Sequence, residues 1–182
     1  MNTVLRYTIP AIVLHWLVAL LIFVAFPLGF YMADLPLSPD KLRLYSYHKW
    51  IGITILMLVS VRVVWRLTHT PPPLPQNITG WQRRASQIVH GLLYGLILVI
   101  PLSGWLMSSA KGFQTVWFGV LPLPDLIEKN RELGDLLANV HQALNFTLLA
   151  LVILHVGAAL KHHFFEHQPF LQRMGWGKKA HG

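Results

Sequence analysis

Residues 136–160 read LLANVHQALNFTLLALVILHVGAAL, an apolar stretch with no charged residue and with two histidines, His141 and His155. A membrane-spanning α-helix needs about 20 such residues. The two histidines are fourteen positions apart, so at about 100° per residue their side chains point to nearly the same face of a helix. At about 1.5 Å per residue they lie roughly 21 Å apart along the axis. The stretch therefore predicts a transmembrane helix that carries one imidazole near each side of the membrane.

Three other stretches are comparably apolar. Together with residues 136–160 they predict four membrane spans, at approximately 8–33, 45–67, 86–110 and 136–163. The chain has 182 residues, of which 54% are hydrophobic and 12% charged, whereas a soluble domain has about 25% charged residues. We predict an all-α integral membrane protein, a four-transmembrane-helix bundle, in which residues 1–182 form a single membrane-embedded domain. The chain has no cysteine, which excludes disulfides, iron–sulfur clusters and thiolate haem ligation.

The distribution of Lys and Arg predicts the orientation. With four spans, the N-terminus, the 68–84 connection and the C-terminal tail share one side, which has nine Lys/Arg and one acid; the other side has six of each. The nine cations are Arg6, Arg62, Arg66, Arg83, Arg84, Lys161, Arg173, Lys178 and Lys179. The excess predicts that both termini are cytoplasmic. The net charge of +8 is explained by topology and lipid headgroups, so no nucleic-acid partner is expected.

The connections contain helix-breaking and interfacial residues. Residues 70–75 include four prolines, which predicts that the second span ends before them. The third connection, about 111–135, is the longest and has Trp117 and Phe118 at positions suited to a membrane interface. Asp125 within it is expected to cap a short helical piece that leads into the fourth span.

Four histidines in the spans lie at two depths. His15 and His155 are near the predicted cytoplasmic side, and His48 and His141 are near the outer side, so depth pairs them in that way. A single intramembrane histidine is more often a buried hydrogen-bonding residue, but four at matched depths favour metal ligation. Imidazole binds Fe, Cu, Zn and Ni, so the ligand type leaves the metal open. Two bis-histidine sites without a carboxylate or thiolate in the spans favour haem.

Other polar residues near the predicted cytoplasmic side have two interpretations each. Arg62 and Arg66 lie one turn apart, suited either to haem propionates or to lipid headgroups. His90 and His162 are candidates for a quinone site or a proton path, or else are ordinary interfacial residues. His69, His167 and His181 are assigned no role.

At these residues the chain resembles the bacterial di-haem cytochrome b561 family, related to the cytochrome b subunits of membrane hydrogenases and formate dehydrogenases. The resemblance covers about residues 7–174. Its motifs are LHWL at 14–17, YHKWIG at 47–52, VHGLLY at 89–94, PLSGW at 101–105, WFG at 117–119, the histidines at 141 and 155, HHF at 162–164 and LQRM at 171–174. Residues 166–170, EHQPF, depart from an Arg-Asp-containing turn that is usual in the family. The resemblance implies that His15, His48, His141 and His155 are the axial ligands of two b haems.

Bis-histidine ligation leaves no open iron position, which favours outer-sphere electron transfer. The resemblance implies ubiquinone as the acceptor and superoxide as the leading candidate for a periplasmic one-electron donor, in the inner membrane of a bacterium. The chain would then be an oxidoreductase of the superoxide:quinone type. The alternatives are a membrane electron-transfer anchor for a separate periplasmic redox protein, and a haem-free channel or transporter with a histidine proton relay. The quinone is expected near His15 and His155, beside Arg62, Arg66, His90 and His162.

Overall fold

Four long helices make up most of the structure, a computed structural model that describes residues 5–73 and 78–176. They are α1 (Ile9–Asp34), α2 (Pro39–Thr68), α3 (Gly80–Ala110) and α4 (Arg131–Phe164), followed by the short α5 (Phe170–Arg173). Each of the four is long and apolar enough to cross a membrane. The prediction of a helical bundle with four transmembrane helices is confirmed. Pro75, Lys178, Lys179 and His181 lie outside the described residues.

Three of the helices begin five or six residues before their predicted spans, at 39, 80 and 131 rather than at 45, 86 and 136. Polar caps explain the earlier starts, because side-chain acceptors satisfy amide groups that a helix end leaves free. The Ser38 hydroxyl accepts the Lys41 amide at 3.2 Å, and the Asn130 side chain accepts the Leu133 amide at 3.0 Å. The apolar pattern thus indicates the part of each helix suited to lipid, and the caps indicate where the helix begins.

The third connection has a structure that the sequence did not predict. β1 (Val116–Trp117) and β2 (Leu121–Pro122) form an antiparallel hairpin in which Trp117 lies opposite Leu121. The prediction that Asp125 caps a short helical piece is wrong, since residues 123–130 contain no helix. Backbone hydrogen bonds from Leu123 to Thr115, 2.8 Å, and from Asn130 to Ala110, 2.9 Å, hold this segment against the end of α3 instead.

The helices pack in chain order, α1 on α2, α2 on α3 and α3 on α4. Among the described residues, no Cα atom of α4 lies within 8 Å of a Cα atom of α1 or α2. Buried Leu93 and Ile100 of α3 pack with buried Leu148 of α4, and side chains of α1 such as Ile22 and Phe26 reach this cluster. A gap bridged by side chains therefore separates α4 from α1 and α2.

The two ends of the bundle differ. At the end that we call the terminal end, the start of α1 meets the end of α2 and the end of α5, which follows α4: the Trp65 indole donates to the Thr8 hydroxyl, 3.0 Å, and the Trp16 indole donates to the Met174 carbonyl, 2.9 Å. At the opposite end, here the hairpin end, the Trp50 indole donates to the Val116 carbonyl at 2.6 Å. The start of α1 and the end of α4 thus share one end, as an even number of spans requires.

Candidate metal centre

The four intramembrane histidines form two pairs across the gap. At the hairpin end, the ring centres of His48 on α2 and His141 on α4 are 6.4 Å apart and the rings are inclined by 84°. At the terminal end, the ring centres of His15 on α1 and His155 on α4 are also 6.4 Å apart, with an inclination of 70°. The structure therefore brings together the same partners that depth predicted, with both α4 ligands on one continuous helix.

The spacing fits two imidazoles on opposite sides of one metal ion. A metal about 2 Å from each ligating nitrogen keeps the two ring centres roughly 6 Å apart. Within residues 5–73 and 78–176, no group of three or more His, Cys, Asp or Glu side chains is gathered to hold a metal. Each pair thus offers two nitrogen ligands only, which suits a metal whose other four ligands come from a flat macrocycle, as in haem. Both pairs span the gap that separates α4 from α1 and α2.

Hydrogen bonds fix the orientation of His141. Its Nδ1 lies 3.1 Å from the Ile100 carbonyl and 2.9 Å from the Ser103 hydroxyl, which itself donates to the Ile100 carbonyl at 2.7 Å. Because a carbonyl only accepts, Nδ1 carries the proton and Nε2 keeps its lone pair for a metal. This is the arrangement in which a backbone carbonyl orients a ligating histidine and increases its basicity.

Two of the other rings have no such partner. The Nδ1 atoms of His15 and His48 are buried and make no hydrogen bond. The Ala25 carbonyl faces the His48 ring, but in a geometry that falls short of a hydrogen bond. Buried polar atoms without partners are uncommon, and here they occur on two of the four candidate ligands. On His48 this Nδ1 lies on the side of the ring that faces Gly29 of α1, which leaves Nε2 as the nitrogen for a metal.

Glycines lie directly behind the hairpin-end rings. A Cβ atom on Gly29 of α1 would lie 3.2 Å from Cε1 of His48, and one on Gly104 of α3 would lie 3.1 Å from Cε1 of His141. Gly52, one turn after His48, lines an apolar cleft that also contacts both rings, and a Cβ there would meet nothing within 4 Å. The small residues thus seat the rings on two sides and leave open space on a third, as a flat ligand would need.

A third histidine and an arginine lie beside the terminal-end pair. The His90 ring centre lies 5.2 Å from that of His155, and its Nδ1 is 2.6 Å from the Ser86 carbonyl. The Arg62 guanidinium stacks on the Tyr94 ring at 5.1 Å and interacts electrostatically with His15, His90 and His155. The exposed Arg66 interacts electrostatically with His90. Neither arginine has an acidic partner among the described residues.

His162 is directed elsewhere. It lies about two turns beyond His155 on α4, where its Nδ1 is 2.6 Å from a Glu166 carboxylate oxygen and its ring packs on Phe170. The hydrogen bond from His162, together with Lys161 at 3.2 Å from the same carboxylate, lowers the pKa of Glu166. Of the four residues predicted near the quinone, the structure thus places His90 and Arg62 beside the histidine pair, leaves Arg66 exposed near His90 and turns His162 toward α5.

Three residues near the rings were not singled out from the sequence as part of the site: Gly29, Ser103 and Lys49. Lys49 is half-buried at the hairpin end, and its ammonium group donates to the Ser108 hydroxyl, 3.0 Å, and to the carbonyls of Phe113 and Gln114, both 3.2 Å. The sequence did contain a signal for Ser103 and Lys49, because polar residues inside apolar spans are uncommon and tend to be functional.

Comparison with known proteins gives concordant matches over nearly the whole chain. The family described as prokaryotic cytochrome b561 matches residues 6–177. Cytochrome b561 homolog 2 of Escherichia coli (strain K12) is 33% identical over 175 residues, which cover 95% of this chain and 93% of the relative. Cytochrome b561 homolog 1 of the same strain is 27% identical over 172 residues, 93% of this chain and 96% of the relative. A protein named probable superoxide oxidase CybB of Yersinia pestis is 27% identical over 179 residues, 93% of this chain and 95% of the relative.

Proposed function

The chain belongs to the prokaryotic cytochrome b561 family, whose members are membrane electron-transfer proteins with b-type haem, and on this basis we propose that it binds two b haems. One would lie between His48 and His141, and the other between His15 and His155. The observation that carries the proposal is the pair of ring separations, 6.4 Å at each of two depths. Arg62 and Arg66 are proposed to pair with haem propionates, since a guanidinium is a good bidentate partner for a carboxylate.

Haem supplies a metal that accepts and releases one electron reversibly. The protein would supply two imidazole ligands to each metal and hold them in position. Two imidazoles at each site leave no position for oxygen to bind, and the hydrogen bond from His141 to the Ile100 carbonyl keeps one ring in its ligating tautomer. The two pairs lie roughly 21 Å apart along α4, so they connect the two ends of the bundle for electron transfer.

We propose that electrons enter at the hairpin end from a periplasmic one-electron donor, with superoxide as the leading candidate, and leave at the terminal end to ubiquinone. Two superoxide anions are oxidised to two dioxygen molecules, and one ubiquinone takes up the two electrons and two protons to become ubiquinol. The relative named probable superoxide oxidase supports this donor. The protein would lie in the bacterial inner membrane with both termini in the cytoplasm, as its Lys/Arg distribution predicts.

The test is superoxide-driven reduction of ubiquinone by the purified, haem-loaded protein in detergent. Quinol formation should depend on a superoxide source, should be abolished by superoxide dismutase, and should fall to background with haem-depleted protein. Absence of quinol formation with a fully reducible haem spectrum would reject superoxide as the donor. Co-purification of a periplasmic redox protein that reduces the haems would instead favour the alternative of a membrane electron-transfer anchor.

A glycine substitution tests how closely α3 supports the hairpin-end ring. In Gly104→Ala, the added Cβ would lie 3.1 Å from Cε1 of His141, so the ring must shift by a few tenths of an ångström. We expect a changed absorption and electron paramagnetic resonance signal for one haem and no change for the other. Gly95→Ala is the matched control on the same helix, because its Cβ would meet nothing within 4 Å. Identical spectra for the two variants would contradict the placement of His141 as a ligand.

A further inference from the structure

We propose that Lys49 is a positioning residue of the hairpin-end site: its ammonium group joins α2 to the end of α3, and its positive charge, on the residue next to His48, raises the reduction potential of the haem proposed there. The inference rests on the proposed haem at the His48–His141 pair. Lys49 has no part in metal ligation, and the proposed role accounts for a half-buried lysine within a predicted membrane span.

The contacts of Lys49 link the two walls of the site. It follows His48 directly on α2, and its ammonium group donates to the Ser108 hydroxyl on α3 at 3.0 Å. Ser108 lies one turn after Gly104, whose Cα directly supports the His141 ring. The helix that carries His48 is thus joined to the helix that backs His141, at a point one residue from His48 on α2 and one turn from Gly104 on α3.

The same ammonium group fastens the connection that covers the hairpin end. Its other two contacts are the carbonyls of Phe113 and Gln114, each at 3.2 Å, just before the hairpin. An ammonium group has three donors, and the three acceptors use all of them. Ser108 also donates to the Phe113 carbonyl at 2.5 Å, so the loop, α3 and α2 meet at one polar point.

The charge of Lys49 has no counter-ion in contact. Its three acceptors are neutral, and among the described residues it makes no ion pair. Asp125 interacts with it electrostatically without forming a salt bridge. By contrast, Lys111 at the same end is 3.1 Å from the Asp135 carboxylate.

A positive charge in a partly desolvated site acts over a longer range than one in water. It stabilises the reduced state of a nearby metal, which is one unit less positive than the oxidised state. Net charge, hydrogen bonding and solvent exposure are general determinants of the potential of a protein-bound redox centre. Lys49 would therefore favour the arrival of an electron at the site where the donor is proposed to react.

The experiment is a potentiometric titration of the haem-loaded variants Lys49→Met and Lys49→Arg, with Lys111→Met as the matched control from the same end. His141→Ala identifies which spectral component belongs to the hairpin end. We expect Lys49→Met to lower the midpoint potential of that component alone, Lys49→Arg to keep it near the wild-type value, and Lys111→Met to leave both components unchanged. Asp125→Asn should shift the same component in the opposite direction.

Hydrogen exchange distinguishes the effect of the Lys49 charge from the effect of its hydrogen bond to Ser108. Ser108→Ala removes one acceptor but keeps the charge, so it should speed amide exchange around residue 113 and leave the potential close to that of the wild type. A wild-type potential in Lys49→Met, or an equal shift in Lys49→Arg, would overturn the inference. If Lys49→Met does not retain the haem, Lys49→Arg and Asp125→Asn still decide it. A wild-type protein without two haem components would instead refute the proposed function, so the two failures are distinguishable.

Discussion

Replacing His141 with alanine is expected to halve the haem content, from two haems per chain to about one, and to abolish electron transfer between the two ends of the bundle. The substitution removes one of the two ligands that face each other at 6.4 Å and leaves His48 without its partner. The terminal-end pair uses different helix positions and should keep its haem. The measurement is the haem-to-protein ratio together with the reduced-minus-oxidised spectrum of purified protein.

The matched variants make the pairing testable. His155→Ala should remove the other spectral component, and His48→Ala should remove the same component as His141→Ala. His69→Ala is the control, because this exposed ring stacks on Trp65 at 3.8 Å, away from the gap. Acid–acetone should extract all the haem from the wild type, since the chain has no cysteine for a thioether link. Loss of one component in both His48→Ala and His155→Ala would show that the pairing is wrong.

The helical architecture was predictable because lipid imposes a single requirement on every span. Backbone groups in hydrocarbon must bond within the helix, so about 20 consecutive apolar residues identify a span with little ambiguity. The depth of each histidine follows from its position within its span. The fixed rotation and rise per residue then place His141 and His155 on one face of α4, which is why the ring pairs in the structure are those that the sequence predicted.

Features that depend on contacts between distant segments were not predictable in the same way. Asp125 has the residue type of a helix cap, but backbone hydrogen bonds hold its segment against the end of α3 without a helix. Lys49 counts as one more outer charge in the sequence, and its position against Ser108 emerges only when α2 packs on α3. His162 shares its end of the bundle with His90, but Glu166, four residues later, binds it in another direction. Each of these outcomes is decided by a partner that no local pattern specifies.

The largest expected effect on turnover, apart from the loss of a haem, concerns ubiquinone at the terminal end. A quinone needs hydrogen-bond donors for its oxygens, access from the lipid and proximity to a redox centre. His90 is exposed on the side of the bundle, and its ring centre is 5.2 Å from that of His155. Its Nδ1 donates to the Ser86 carbonyl, so Nε2 must itself take up a proton before it can pass one to a bound quinone. Arg62, stacked on Tyr94, has guanidinium donors available beside it.

We therefore expect His90→Ala and Arg62→Met to retain both haems and to lower the rate of ubiquinone reduction, for His90→Ala by roughly a hundredfold, the lower limit for loss of a positioned proton donor. Reduction of the haems by the electron donor should be unaffected, because it takes place at the hairpin end. The measurement is steady-state quinol formation beside stopped-flow haem reduction, with Arg83→Met, an exposed arginine at the same end, as the control. Wild-type rates in both variants, or a quinone bound beside His48 and His141, would move the site to the hairpin end. The electron would then enter and leave the protein on one side of the membrane, and the terminal-end pair would need a different purpose.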